Sequence, residues 1–379
     1  MLPTRVILVR HGRSTFNEQG RYQGSSDTAE LTESGMIAAR QVGKALRDVA
    51  IDALYVSPLK RVQQTVDSIL QGMEREIPSI HTCSLLREID LPAWEGMPFK
   101  TVREEYAADY RCWKLRPHEF QMVEPSGYHA AHGATALATR PRYPVLDLYD
   151  RAQQFWQDVL PRHAGQTLLI VSHGGTNHAL ISQAIGLPAA QHHCLQQSNC
   201  GISELIFTHP DRPATLTAMN LTHSLGESLP KLKEGKQGIR LILLPSGDIS
   251  PTLVDAMRDI AIDFSISSDA AQVNLQKVLQ NHPQAVQLHI ASDDSLLGWQ
   301  QALANHSASE SHPAPLVTGL VMAETSVLQQ FIAKTLAFPQ THYPRISLCF
   351  NTLTVLHYPA IEHFPILQSL NFHLPLRSI

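Results

Sequence analysis

Four short stretches of this 379-residue chain carry residue types that could do chemistry together. Arg10-His11-Gly12 stands where the apolar run Val6-Ile7-Leu8-Val9 stops, and Ser57-Pro58, with Arg61 just beyond, follows the run Ala53-Leu54-Tyr55-Val56. Leu86-Arg87-Glu88 precedes Trp94-Glu95-Gly96, and Ser172-His173-Gly174-Gly175 ends the most apolar run of the first half, Thr167 to Val171. A phosphomonoester would use such a set. Its dianion needs fixed cationic donors, a nucleophile in line with the leaving oxygen, and an acid to protonate that oxygen. Arg10 and Arg61 offer planar forks that match phosphate oxygens, and His173 adds donor capacity. A neutral imidazole has a lone pair at neutral pH, and its phosphoramidate is reactive enough to pass to water. His11 is the candidate nucleophile, with a backbone carbonyl near Gly12 as acceptor for its other nitrogen, and Glu88 is the candidate proton donor.

Each of these residues has a plainer reading. A lone Arg-His-Gly is usually a surface turn, and only the other three stretches lift it above that. Asp90 and Glu95 stand close enough to compete with Glu88, and Ser57 reads first as a helix cap. Twenty histidines invite a metal site. His129 with His132, or His192 with His193, could be written as ligands, but no HExxH or mixed Cys/His spacing supports them, so no metal and no cofactor is expected. Arg140 and Arg142 could close over an anionic substrate, though exposed loop charge is the commoner case.

The elements that must position these groups follow from periodicity. Val6 to Val9 reads as a buried strand, and the polar stretch Ser14 to Glu30 as a long functional loop. A helix opens at Leu31 to Gly35 and runs to about Val49, a strand covers 53–56, and a helix capped by Ser57, with Pro58 at its first position, runs to about Leu70. Residues 98–142 form an insertion, and its end, Ser126 to Arg142, is expected to be a mobile loop. A helix from Val145 shows Leu146, Ala152, Phe155, Val159 and Leu160 on one face. It leads into the strand 167–171 and a further helix, Asn177 to Ile185. Strands alternating with helices predict an α/β fold with a mostly parallel, doubly wound sheet and helices on both faces. Ligands collect at the carboxyl ends of such strands, where the two strand-end histidines would converge.

Composition bounds the rest. A chain 43% hydrophobic and 17% charged is ordinary globular material, and its length favours two domains. A net charge of −4 and a pI near 6.6 leave no footprint for nucleic acid or an anionic membrane. Five scattered cysteines indicate neither a disulfide framework nor a zinc site. The first residues lead straight into a strand without a signal-peptide pattern, and no apolar run approaches a bilayer span, so a cytoplasmic protein is expected. The expected partner is a small phosphorylated metabolite, with no nucleic acid and no membrane, and the sequence leaves a homo-oligomer open.

The second half reads as a degraded copy of the first. Ile239 to Gly247 can be laid on the opening strand, with Pro245 on Arg10, Ser246 on His11 and Gly247 on Gly12. Asp263 falls on Asp52, Gln272 on Arg61, Asp293 on Glu88 and Leu296 to Trp299 on the Trp94 region. LLIVSHGGTNHALISQAIGLP (168–188) matches GLVMAETSVLQQFIAKTLAFP (319–339), with Glu324 on His173, and Asn220 to His223 matches Asn371 to His373. The apolar pattern survives while the cations and imidazoles are lost. The expected domains are 1–226, a linker at 227–238, and a non-catalytic 239–379.

The constellation resembles the histidine phosphatase superfamily, the fold of cofactor-dependent phosphoglycerate mutases. The resemblance rests on Arg10-His11-Gly12 with Ser14 and Asn17, Ser57-Pro58 with Arg61 and Thr65, Leu86-Arg87-Glu88 with Trp94-Glu95-Gly96, and Ser172-His173-Gly174-Gly175, across roughly residues 4–225. One departure is Ala93, where many members have Gly. The resemblance implies that His11 forms a phosphohistidine, that Arg10, Arg61 and His173 hold the phosphoryl group, and that Glu88 donates the proton. Substrate contacts would come from Arg10, Ser14, Asn17, Gly24, Arg61, His173 and Gly174. Two mutase-like domains, the second degenerate, are similar to two-domain 2-carboxy-D-arabinitol-1-phosphate phosphatase-like proteins. The implied activity is hydrolysis of a small sugar or sugar-acid phosphate, with a phosphoglycerate mutase or a non-catalytic binding protein as alternatives.

Overall fold

The structure, a computed structural model, describes residues 2–122, 141–267, 271–289, 315–338, 345–359 and 364–374. His129, His132, Arg140, Asp293 and Leu296 to Trp299 lie outside the described residues. The chain divides into two compact units, Met1–His192 with Ile206–Pro213, and His193–Leu205 with Ala214–Ile379.

The first unit runs β1 (Thr4–Arg10), α1 (Thr15–Gln19), α2 (Glu33–Ala45), β2 (Ala53–Val56), α3 (Lys60–Met73), β3 (Ile80–Thr82), α4 (Phe99–Glu105), α5 (Ala107–Leu115), α6 (Pro144–Val159), β4 (Thr167–Ser172) and α7 (Gly174–Ile185). Its strands stand in the order β3-β2-β4-β1, and all three pairings are parallel. Successive side chains of β1, β2 and β4 are buried although they point to opposite faces, so both faces of this sheet are covered. Arg10 pairs with Ser172, and the N–H of His11 donates to the Ser172 carbonyl at 2.9 Å. The register thus delivers both histidines to the same edge.

Helix α3 lies against α2 through two glycines. A Cβ at Gly43 would collide with the Ile69 carbonyl oxygen, and one at Gly72 with that of Arg40, so the helices cross at backbone contact. Several details differ from the periodicity reading. The polar stretch after β1 contains α1, closed by a capping box in which Ser14 accepts from the Asn17 N–H and the Asn17 side chain accepts from the Ser14 N–H. Ser57 does not cap α3, whose N-cap position is Leu59; the Lys60 N–H donates instead to Asp27 at 2.6 Å. On α6 the buried stripe is Val145, Leu148, Ala152, Phe155 and Val159, while Leu146 is exposed, because a period of 3.6 places it off that stripe. The start of the 98–142 insertion forms α4 and α5, and Trp113 on α5 is buried.

Beyond β5 (Ile202–Phe207), which the division between the units crosses, the second unit contains β6 (Thr215–Leu221), β7 (Ile239–Pro245), α8 (Pro251–Met257), β8 (Phe264–Ser267), α9 (Gln272–Leu279), β9 (Val286–His289), β10 (Val317–Ala323), α10 (Thr325–Thr335), β11 (Leu353–Tyr358) and β12 (Ile366–Phe372). The order is β6-β12-β11-β7-β10-β8-β9. β7, β10, β8 and β9 pair in parallel, whereas β7, β11, β12 and β6 pair antiparallel. The expectation of a mostly parallel sheet therefore holds for the first unit, and the second is mixed.

The backbone bonding of the two units follows matching patterns. Asp52 and Thr167 exchange two hydrogen bonds, the Asp52 N–H to the Thr167 carbonyl and the Thr167 N–H to the Asp52 carboxylate; Asp263 and Thr318 do the same. Within the second unit Asn220 and Asn371, both at φ near +55°, each donate a side-chain N–H across the β6–β12 pair, to the carbonyls of Gln368 and Thr217, both at 2.7 Å. The Gln196 N–H reaches the Leu367 carbonyl, and the Ser347 N–H reaches that of Leu216. Residue 371 follows 220, 368 follows 217, 347 follows 196 and 367 follows 216, each by 151 residues.

The glycine contact that seats α3 should be costly to fill. Gly72→Ala is expected to lower unfolding free energy by about 1–3 kcal/mol, the range for overpacking, as read by urea titration; an unchanged midpoint would mean that the helices separate freely.

Candidate active site

His11 is 1% exposed, and its Nδ1 lies 2.7 Å from the Gly12 carbonyl. A carbonyl can only accept, so Nδ1 carries the hydrogen and Nε2 keeps its lone pair. The Gly12 N–H donates to the Thr65 hydroxyl at 3.1 Å, and that hydroxyl donates to the Arg61 carbonyl at 2.7 Å. The strand end is thereby tied to the first turns of α3. The rings of His11 and His173 meet edge to face, with centroids 5.3 Å apart.

Arg61 is completely buried. Its guanidinium donates to the carbonyls of Ser26 at 2.7 Å and Gly24 at 3.0 Å. Burial pushes its pKa down to about 10, against the opposing pull of Glu88 and Asp27, which leaves it a cation at neutral pH. His173 is also fully buried, with Nε2 2.8 Å from the Ser57 hydroxyl. Burial first, and then the neighbouring Arg61, His11 and Arg10, hold its pKa well below the ordinary value, so the imidazole is neutral. The Ser57 hydroxyl accepts the Leu59 N–H at 3.4 Å, and its own hydrogen can then go to Nε2. Nδ1 of His173 would carry the ring's hydrogen, and it has no partner among the described residues. Arg10 lies over Gly174, where a Cβ would come within 3.2 Å of its Nε.

Glu88 sits at the N-terminus of α7. Its carboxylate accepts the N–H groups of Gly175 and Thr176, each at 3.1 Å, and that of Ile89 at 2.9 Å. A Cβ at Gly175 would fall 2.6 Å from the carboxylate, so this glycine is what allows the close approach. Arg151 donates to the carbonyls of Arg87 at 2.8 Å and Glu88 at 3.2 Å, and the Thr176 hydroxyl also donates to the Arg87 carbonyl. Arg151 and Thr176 were missed by sequence reasoning, although a cation one residue before Ala152 on the buried stripe of α6 is a readable signal.

The remaining candidates are arranged around a loop. Ser14 donates its hydroxyl to Gln23 at 2.8 Å, and with Asn17 it closes the α1 cap. Gly24 presents its carbonyl to Arg61. Of the three acidic neighbours, Glu88 alone is bonded to the start of α7; Asp90 accepts the Ser25 hydroxyl at 2.5 Å and pairs with Arg142 at 3.3 Å, and Glu95 accepts the same hydroxyl at 3.3 Å. His192 is buried against the rings of Trp113, Tyr149 and His178, and burial pushes its pKa down to about 3. Among the described residues no group of three His, Cys, Asp or Glu could hold a metal ion, and no helix is long and apolar enough to cross a membrane.

Fold and site together define an α/β protein with a strand-end cluster of two arginines and two histidines. Its affiliation is specific: the model of the histidine phosphatase superfamily (branch 1) matches residues 6–221, and the chain belongs to that superfamily. The chain is 37% identical over 203 residues to a probable 2-carboxy-D-arabinitol-1-phosphatase of Arabidopsis thaliana, a match that covers 54% of this chain and 38% of that protein. It is 30% identical over 223 residues to phosphoserine phosphatase 1 of Hydrogenobacter thermophilus, covering 59% and 95%. A solved phosphoserine phosphatase from Entamoeba histolytica, in complex with 3-phosphoglyceric acid, is similar at 26% identity and a TM-score of 0.47, covering 59% of this chain and 99% of that one. The chain spans less than half the length of the Arabidopsis relative.

Because burial and the surrounding cations keep His173 neutral, its imidazole resonances should not titrate between pH 7.5 and 5.5, as followed by NMR with assignment through His173→Gln; a midpoint near the ordinary 6.5 would contradict this. Unfolded chains bind that proton below pH 6.5 and the folded chain does not. Stability should therefore rise with pH up to about 6.5 and level off above, with a slope of up to about 1.4 kcal/mol per pH unit for each such histidine.

Proposed function

We propose that this chain is a phosphomonoesterase that hydrolyses a small phosphorylated sugar or organic acid through a phosphohistidine at His11. The observation that carries the reading is the 2.7 Å bond from His11 Nδ1 to the Gly12 carbonyl, which leaves Nε2 its lone pair on a ring that meets the neutral His173 edge to face. In the first step Nε2 attacks phosphorus as the bond to the ester oxygen breaks, and the Glu88 carboxyl gives its proton to that oxygen. In the second, the Glu88 carboxylate takes a proton from water, the resulting hydroxide oxygen bonds to phosphorus, and the phosphorus–nitrogen bond breaks to restore His11. Glu88 Oε2, which accepts one N–H where Oε1 accepts two, is the oxygen with room for the proton. Arg10, Arg61 and His173 hold the phosphoryl oxygens through both steps, and Ser14, Asn17, Gly24 and Gly174 line the approach. No step needs a metal or a cofactor.

The names of the relatives support the substrate class. Carboxyarabinitol phosphate and phosphoserine are both small phosphate monoesters that carry a carboxylate, and the chain resembles enzymes named for each. The second half supports a further part of the reading, a duplicated mutase-like domain that has lost its chemistry, in residues 239–379 after a 227–238 linker. The recurring 151-residue spacing of hydrogen bonds to backbone carbonyls favours duplication. At the copied strand end, Ser246 and Gly247 stand where His11 and Gly12 would be, the Phe350 ring lies against Gly247, and Gln272, in the place of Arg61, accepts from Ser267.

A screen of phosphorylated sugars and sugar acids that includes 2-carboxyarabinitol 1-phosphate, phosphoserine and the phosphoglycerates should release inorganic phosphate from at least one. His11→Ala should lower that rate by at least about a thousandfold, as expected for removal of a covalent nucleophile. Retained hydrolysis in His11→Ala would move the active site elsewhere, and brisk interconversion of 2- and 3-phosphoglycerate with little free phosphate would replace hydrolase by mutase. Calorimetric titration with inorganic phosphate should give one site per chain; two would overturn the loss of chemistry in the second copy.

A further inference from the structure

Glu88 lies on a strap that follows the single helical turn Ser84–Leu86, and no helix or strand of its own fixes its backbone. Leu86 and Ile89 are buried on either side of it, which anchors the strap but does not set the tilt of its peptide planes. Arg151, on α6, supplies the bonds that do. Its Nη1 donates to the Arg87 carbonyl at 2.8 Å and its Nη2 to the Glu88 carbonyl at 3.2 Å, and Nη1 also reaches the Leu85 carbonyl at 3.5 Å. The Arg87 and Glu88 carbonyls belong to the two peptides that flank the Glu88 Cα. One planar guanidinium therefore fixes both planes, and with them the direction of the Cα–Cβ bond. The Thr176 hydroxyl, from the first turn of α7, gives the Arg87 carbonyl a second donor at 2.8 Å.

The peptide between Glu88 and Ile89 carries the effect to the carboxylate. Its C=O accepts from Arg151, and its N–H donates to Glu88 Oε1 at 2.9 Å. A cation at the oxygen and a carboxylate at the N–H are the ends that the peptide dipole favours, and each bond strengthens the other. Among the described residues the side-chain hydrogen bonds of Arg151 all go to carbonyls. A guanidinium bonded directly to a carboxylate opposes its protonation. Bonded to the carbonyls instead, Arg151 aims the carboxyl and leaves Oε2 with the Gly175 N–H at 3.1 Å. Helix α6 is itself seated on α7, where Trp156 Nε1 donates to the Leu180 carbonyl at 3.0 Å. The guanidinium and the N–H groups that meet the carboxylate thus come from two helices held in register.

We propose that Arg151 is a positioning residue for proton transfer to the leaving oxygen: by holding the carbonyls of Arg87 and Glu88 it fixes the Glu88 carboxyl at the start of α7, without touching the substrate. Losing it would free both peptide planes at Glu88 and leave the strap to the Thr176 hydroxyl and the buried side chains on either side.

The inference rests on the proton-donor role proposed for Glu88, and the choice of leaving group separates the two. An alkyl oxygen needs a proton to leave, whereas p-nitrophenolate does not. The full chain is compared with Arg151→Met, Glu88→Gln and the double variant on the best alkyl phosphate of the screen and, by stopped-flow release of p-nitrophenol in the first turnover, on p-nitrophenyl phosphate. Arg151→Lys is a milder companion should the methionine variant fail to fold. Arg151→Met should lower kcat/KM for the alkyl ester about a hundredfold, the cost of a misplaced general acid, and first-turnover release of p-nitrophenol by only a few-fold. Arg151→Lys keeps the charge without the planar fork and should still lose about tenfold on the alkyl ester. The double variant should be no slower on that ester than Glu88→Gln alone. Equal losses on the two esters, additive losses in the double variant, or full alkyl activity in either Arg151 variant would overturn the positioning role and leave the phosphatase reading standing. Full alkyl activity in Glu88→Gln, or a parent inactive on both esters, would overturn both.

Discussion

The constraint on which this site depends is the burial of a guanidinium with no carboxylate in contact among the described residues. Arg61 is fully buried, yet its hydrogen bonds go to two backbone carbonyls, and the surrounding carboxylates act on it only from a distance. A buried ion pair would have neutralised the charge; carbonyl dipoles solvate it without cancelling it. The same economy governs the histidines. A protonated His173 beside Arg61 and Arg10 would add to an unbalanced positive field, and burial together with those neighbouring cations keeps it neutral. The positive potential thus comes from the arginines, which stay charged at neutral pH, and not from the His173 imidazole.

The second unit makes a comparison from within the chain. The β7 and β10 strands keep the parallel pairing of β1 and β4, and the Ser246 N–H bonds to the Ala323 carbonyl at 2.7 Å as the His11 N–H bonds to that of Ser172. A strand end of this kind stands without Arg or His beyond it. The Arg10-His11 pair is consequently not something the strand needs in order to form, and its presence in the first unit is best explained by what it binds.

Much of the frame was legible because buried parallel strands read as unbroken apolar runs: Val6 to Val9, Ala53 to Val56 and Thr167 to Val171 lie within a residue or two of β1, β2 and β4. The candidate residues Arg10, His11, Arg61 and His173 were legible because each stands at the end of such a run, or one turn beyond. Other features were not. The five-residue α1 buries nothing and leaves no apolar period. Ser57-Pro58 looks like a cap followed by an N1 proline, and only the fold reveals that its hydroxyl serves His173. Arg151 acts on main-chain carbonyls, a kind of contact that leaves no pairing of residue types for a reader to notice. The mixed pairing of the second unit escaped for a related reason, since alternation of element types says little about the direction of strands that adjoin without a helix.

The reciprocal asparagines of β6 and β12 bear on how the chain is made. β6 ends at Leu221, and its partner strand is not complete until Phe372. During synthesis at the ribosome, β6 must therefore wait until Ile366–Phe372 has been made before its edge is covered, and closing so long a loop is entropically slow. A nascent chain halted within the second half would expose that edge, whatever the state of the histidine–arginine cluster. The histidine–arginine cluster is finished early, but the edge of β6 is covered only when β12 has been made.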